Sequence, residues 1–272
     1  EGLITRSVDG RFILLTGYAA TIPAASSIVS GAAARVVGRV DAAGNIDTST
    51  ALTDFAVGNN PRSVSSTDGT SLWVDGAAGG IRFATLGSTT STELSTTVTN
   101  LRQTAIFGSQ LYVSDSSGSA VRLGTVGSGL PTTAGQTITS LPGFETAGSP
   151  YAFFFADLDG SPGVDTVYVT DDSASPPGGV SKYSLVSGAW TGNGTAGAAA
   201  DSYRGITGVV TGTTVTLYAV RKGGSSATGG GELVSIVDAS GYNGAFTSSP
   251  SAALATAAAN TAFRGVALSP QP

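Results

Sequence analysis

Four arginines stand at the starts of similar segments: Arg62, Arg102, Arg204 and Arg264, with Glu1 at the matching place in the first segment and Tyr151 in the fourth. A guanidinium is a planar fork of donors that binds carboxylate, sulfate or phosphate in bidentate fashion. Brought to one place, these side chains would make an anion site. Paired singly with Asp or carbonyl oxygens, they would instead lock neighbouring segments together. A second set is acidic: Asp157, Asp159, Asp165, Asp171 and Asp172 fall within 16 residues. Ca2+ takes about 6 to 8 hard oxygen ligands, carboxylates and carbonyls among them. The spacing is not that of an EF-hand, because Gly160 follows Asp159 at once and no Glu closes the loop. Asp in such a stretch also caps turns by accepting backbone N–H bonds. His and Cys are absent, which removes Ser-His-Asp and Cys-His nucleophile systems and the imidazole and thiolate metal sites. Catalysis would have to rest on carboxylates, Arg, Tyr or a hard metal ion.

The segments that must position these groups are short and β-rich. "RFILLTGY", "SLWVDG", "QLYVSD", "DTVYVTDD", "TVTLYAV" and "ELVSIVD" are built from Val, Ile, Tyr and Thr and bounded by Gly, Asp or Ser, the signature of strands joined by turns. No stretch sustains a 3.6-residue amphipathic period, and the alanine-rich "PSAALATAAANTAF" reads as small-residue strand in preference to a short helix. Strand pairs recur in order, in units starting near residues 1, 61, 101, 149, 203 and 263. Arg62 and Arg102 lie 40 residues apart and Arg204 and Arg264 lie 60 apart. A propeller blade of four strands takes roughly 40–50 residues. With two further strand candidates in each unit, such as "GGIRFATLG" and "TELSTTVT" in the second, the expectation is a single all-β propeller over residues 1–272. Six blades of four antiparallel strands are the first choice, the last incomplete because only "FRGVALSPQP" is written, with five or seven blades as the alternatives.

"VGNNPRSVSSTDGTSLWV" (Val57 to Val74) resembles the YVTN-type propeller repeat. There a Val-Gly and a Pro precede the first strand, Asp-Gly makes the hairpin, and an aromatic-Val strand follows. "QLYVSD", "TVYVTDD" and "LVSIVDASG" are similar to other parts of that repeat. The third unit lacks the Asp-Gly and the fourth inserts "DLDGSPGVD". The resemblance implies a propeller of a secreted or cell-surface bacterial protein and carries no activity with it.

Composition narrows the partners. A net charge of −5 argues against nucleic acid, whose counterion release needs a basic face. The longest apolar runs, such as "YAFFFADL", fall far short of the roughly 20 residues of a spanning helix. Only Lys182 and Lys222 supply ammonium groups, and Met is absent as well as Cys, a composition that suits an extracellular setting. Asn193-Gly194-Thr195 matches a glycosylation acceptor. Gly-rich "RKGGSSATGGGE" (Arg221 to Glu232) lacks the ending of a phosphate loop and reads as a hairpin loop. Trp73, Trp190 and Tyr242 are candidates to stack on sugar rings, although Trp73 alternates as a core residue would. The function expected is a non-catalytic binding or structural module for a glycan, an anionic small molecule or a surface protein. A strand-donating partner or second chain would complete the last blade. The alternative is a calcium-dependent hydrolase, a phosphoesterase or glycosidase, working at the channel mouth.

Overall fold

A computed structural model describes residues 2–22, 28–29, 31–115, 121–222 and 231–272. Glu1 and most of the "RKGGSSATGGGE" loop lie outside the described residues. Among the described residues, twenty strands form five sheets, each a four-stranded antiparallel meander in chain order. The first blade holds β1 (Ile4–Arg6), β2 (Phe12–Tyr18), β3 (Arg35–Asp41) and β4 (Ile46–Leu52). The second holds β5 (Pro61–Ser66), β6 (Ser71–Gly76), β7 (Ile81–Thr85) and β8 (Thr92–Ser95). In the third are β9 (Leu101–Phe107), β10 (Gln110–Asp115), β11 (Leu123–Val126) and β12 (Ile138–Ser140). The fourth consists of β13 (Pro150–Ala156), β14 (Thr166–Asp171), β15 (Gly179–Val186) and β16 (Ala189–Ala196). The fifth consists of β17 (Ile206–Thr211), β18 (Thr214–Arg221), β19 (Glu232–Asp238) and β20 (Ala255–Thr256).

Local chemistry explains the hairpins. Between β5 and β6, Asp68 accepts bonds on one carboxylate oxygen from the Thr70 amide and hydroxyl at 2.9 and 2.7 Å. The next residue, Gly69, takes φ +81°, where its missing side chain also leaves room for the Phe12 ring. Burial differs between strands: β5 and β14 are buried along their whole length, whereas β4 and β16 are exposed at about half their positions.

Small hydroxyls stitch one blade to the first strand of the next. The Thr5 hydroxyl donates to the Val64 carbonyl at 2.5 Å, Ser63 to Thr104 at 3.3 Å, Ser114 to Tyr151 at 2.7 Å and Thr170 to Arg204 at 2.7 Å. All four donors are buried. Two compact units divide the chain: Glu1–Val113 with Gly124–Thr139 and Ala267–Pro272, and Ser114–Leu123 with Ser140–Val266. In the first, Leu14, Val37, Leu52, Phe55, Val64, Leu72 and Val74 share a core, and Trp73 lies against Phe83 with its indole N–H on the Pro131 carbonyl at 2.8 Å. In the second, Phe155 packs edge-on against Phe153 and Trp190.

The blade count is five, not six. Residues 263–272 form no strand. Pro270 and Pro272 bring no N–H to a ladder, and Gly265 weakens the short run before them. The segment is held by isolated contacts: the Arg6 guanidinium donates to the Ser269 carbonyl at 3.3 Å and the Gln271 amide to the Gly10 carbonyl at 2.9 Å. The alanine run yields the two-residue β20 and no helix. Among the described residues no helix is long and apolar enough to cross a membrane.

Candidate functional site

Two of the arginines at the repeat starts, Arg62 and Arg204, serve the seams between blades. The Arg62 side chain, displaced by a bulge between Pro61 and Ser63, is buried and donates to the Asn100 side chain at 2.6 Å and the Leu101 carbonyl at 2.8 Å. It thereby ties the second blade to the third. Arg102 lies at the start of that third blade, and both arginines act electrostatically on Asp75, at the end of β6. Asp75 is fully buried, and neither of its carboxylate oxygens accepts a well-directed hydrogen bond. Burial pushes its pKa up to about 8; the charge of Arg62, the Ser63 amide and the charge of Arg102 offset only part of that rise.

A different pairing holds the fourth blade to the fifth. Arg204 binds Asp172 through Nε and Nη2, each at 3.1 Å, and its guanidinium carbon lies 5.0 Å from the centre of the Tyr151 ring. Two expected ligand residues, Arg204 and Tyr151, thus meet, but as a stacked and charge-paired seam. Arg264 lies past the last strand, half-buried, with its carbonyl 3.0 Å from where a Cβ on Gly205 would sit.

The acidic run divides in the same way. Asp157, Asp159 and Asp165 place carboxylate oxygens within 4.8 Å of one another. Asp165 is the hub of that turn, accepting from the Leu158 and Asp159 amides at 2.9 and 2.7 Å and from the Thr166 hydroxyl at 2.7 Å. Asp159 in turn accepts from the Ser161 amide at 2.7 Å. Asp171 and Asp172 lie at the opposite end of β14: Asp171 accepts from the Ser149 and Ser173 amides, and Asp172 takes Arg204 and the Ser149 hydroxyl. Five Asp residues close in sequence therefore divide into two groups, because a six-residue strand separates their ends.

The fourth blade also carries features that spacing did not reveal. Lys182 and Asp238 form a buried ion pair at 2.8 Å. The Lys182 ammonium also donates to Ser240 and to the Gly241 and Gly244 carbonyls, while Asp238 accepts from the Tyr168 hydroxyl at 2.6 Å and from the Ser240 amide and hydroxyl. Burial alone would raise the Asp238 pKa, but Lys182, Ser240 and Tyr168 more than reverse this, and it ends below the ordinary carboxylate value.

Beside this pair, an extra residue, Asn193, is inserted in β16 between the partners of Lys182 and Tyr183. Its side-chain amide donates to Asn243 at 2.9 Å, so the nitrogen of the glycosylation triplet is already engaged. The bulge opens a groove of about 450 Å3 lined by Glu145, Pro177, Ser181, Tyr183, Gly192 and Thr195, among others. The Tyr183 hydroxyl donates to Glu145, and burial followed by the nearby Asp171 carboxylate raises the Glu145 pKa. Glu145 and Asp171 meet only at a cavity of about 10 Å3, roughly the space of one water molecule. Glu145 lies in a loop with no repeat signature, and a one-residue bulge leaves no mark in sequence; the glycines at 192 and 194 beside aromatic strand residues are the one visible trace. Trp73 and Trp190 are both buried and Tyr242 donates its hydroxyl to the Leu185 carbonyl, so these rings pack the blades.

No family model and no curated protein matches the chain. Solved structures do. A putative 6-phosphogluconolactonase from Bacteroides uniformis ATCC 8492 aligns with a TM-score of 0.55 at 17% identity over 90% of this chain and 69% of its own. The GH74 enzyme of Niastella koreensis gives 0.55 at 17% over 92% of this chain and 38% of its own. The β-propeller domain of Cps50 (Swd1) from Myceliophteria thermophila gives 0.50 at 10% over 97% and 89%. The fold is an all-β propeller. At these identities the likeness concerns the fold alone.

Proposed function

We propose that this chain is a non-catalytic binding module, a propeller of the YVTN-repeat kind belonging to a secreted or cell-surface protein. The observation that carries this reading is the use of Arg62 and Arg204 as seam residues: each is committed to neighbouring-blade oxygens. A fixed scaffold needs such seams. A hydrolase at the channel mouth, or an anion site, would need those guanidiniums available to a ligand. Glu145, the carboxyl that lines the fourth-blade groove, is bonded to Tyr183, and where it meets Asp171 there is space for a single water. The ligand of such a module is a glycan, an anionic small molecule or a surface protein, and a strand-donating partner or second chain would pair with an exposed sheet edge. Calcium at Asp157, Asp159 and Asp165 would brace that turn.

The test is a parallel measurement of binding and turnover on the purified chain. Phosphate esters, aryl glycosides and 6-phosphogluconolactone, the last named for the lactonase among the similar structures, are expected to be left intact with and without calcium. Arg204→Ala is expected to lower the melting temperature while leaving ligand affinity within twofold. Turnover abolished by Arg204→Ala would overturn the non-catalytic reading.

A further inference from the structure

From the groove beside the fourth-blade bulge we infer a binding site for a neutral saccharide, formed by Glu145, Ser181, Tyr183, Gly192 and Thr195. The inference rests on the binding-module reading above and names the ligand class for one surface. A volume of about 450 Å3 lies within the range of small-ligand clefts, roughly 300–1,000 Å3. Its chemistry is that of hydroxyl exchange. The Ser181 and Thr195 hydroxyls lie 2.8 Å apart, each able to donate or accept. Glu145, half-buried at the rim, offers a carboxyl that accepts from Tyr183 and can accept from a sugar hydroxyl.

Gly192 is paired directly across from Tyr183, and a Cβ there would rest 3.7 Å from the edge of the tyrosine ring. Tyr183 is itself 7% exposed and packs against the Phe144 ring, and glycine across from it leaves the tyrosine edge and the backbone around it to line the groove. Gly143 and Gly194 extend the same exposed backbone. A pyranose presents this mixture in reverse, with hydroxyls around its rim and C–H groups on its faces.

Charge argues against the other ligand classes here. No guanidinium lines the groove, and the one cation in its wall, Lys182, turns its ammonium to Asp238, Ser240 and two carbonyls. An anionic sugar would therefore meet Glu145 with no compensating charge, a juxtaposition that costs affinity.

Isothermal titration with cellobiose and maltotriose, alongside sialyllactose and glucosamine, tests the site, with released monosaccharide assayed in the same samples. Gly192→Leu covers the tyrosine edge from a position where Cβ contact is ordinary, and Thr195→Val removes one hydroxyl. Both variants are checked for an unchanged melting temperature. The expected result is millimolar or tighter binding of a neutral sugar, weakened at least tenfold by Gly192→Leu and threefold or more by Thr195→Val. Neutral-sugar binding indifferent to both variants overturns the site, as does binding of only the charged sugars or of none. Sugar release that the groove variants do not change would overturn the non-catalytic reading while leaving the groove to be judged by its titration.

Discussion

Asp75, next to the end of β6, and Asp238, at the end of β19, are both shielded from solvent, yet their acidities move in opposite directions. Burial disfavours the charge on both. Asp238 receives an ammonium, a phenol and two Ser240 donors, and its pKa falls. Asp75 has two arginines nearby, but Arg62 directs its donors to Asn100 and Leu101, and the Asp75 pKa climbs to about 8. Directed donors at contact repay desolvation at Asp238, whereas at Asp75 burial is the largest influence and the nearby arginines offset only part of it.

The largest expected effect comes from making Asp238 resemble Asp75. Lys182→Met removes the ammonium and leaves a buried carboxylate uncompensated, which costs roughly 3–5 kcal/mol and is read as a lower urea midpoint. The converse change is Asp75→Asn. The folded-state pKa of Asp75 lies above its unfolded value, so its contribution is fully present below about pH 4 and is lost as pH rises toward 8. The asparagine variant should match the parent near pH 4 and exceed it by roughly 1–4 kcal/mol at pH 8–9. Asp238 has the reverse sign, with stability present above the ordinary carboxylate pKa and lost as acid titrates the folded group. Urea unfolding of parent and Asp75→Asn from pH 3 to 9 separates the two slopes, and a parent that gains stability from pH 5 to 8 would contradict the assignment to Asp75.

Arg204→Ala tests an intermediate case, a carboxylate with two directed partners, Arg204 and the Ser149 hydroxyl. Asp172 is partly exposed and the guanidinium also stacks on Tyr151, so a loss of about 1–2 kcal/mol is expected, with a smaller loss for Arg204→Lys. Smallest is Ser63→Ala, which removes two neutral hydroxyl contacts between blades, to the Thr104 carbonyl and from the Thr104 amide, each at 3.3 Å, and should cost about 0.5–1.5 kcal/mol by the same urea measurement.

The repeat starts near 61, 101 and 149 coincide with the first residues of β5, β9 and β13 within one position, since period-2 patterning and turn residues are local properties of the chain. The site was less legible. Which oxygen each arginine meets depends on the neighbouring blade, and the matching positions in successive units hold Arg62, Arg102, Tyr151 and Arg204 without indicating their partners. The inserted Asn193 shifts register by one residue and looks in sequence like any Gly-Asn-Gly turn. Residues 263–272 carry a repeat-like beginning, and it was the two prolines and the glycine, not the Arg-Gly-Val start, that governed their backbone.

The two tryptophans of the chain fall one in each compact unit, Trp73 in the first and Trp190 in the second. Both are shielded from water, but their surroundings differ: the Trp73 indole N–H is fixed to a proline carbonyl, and Trp190 packs edge-on against a phenylalanine. Intrinsic emission therefore carries two addresses. With Trp73→Phe the fluorescence reports one unit, with Trp190→Phe the other, and superimposed denaturation curves from the pair would identify a single cooperative body without any attached dye.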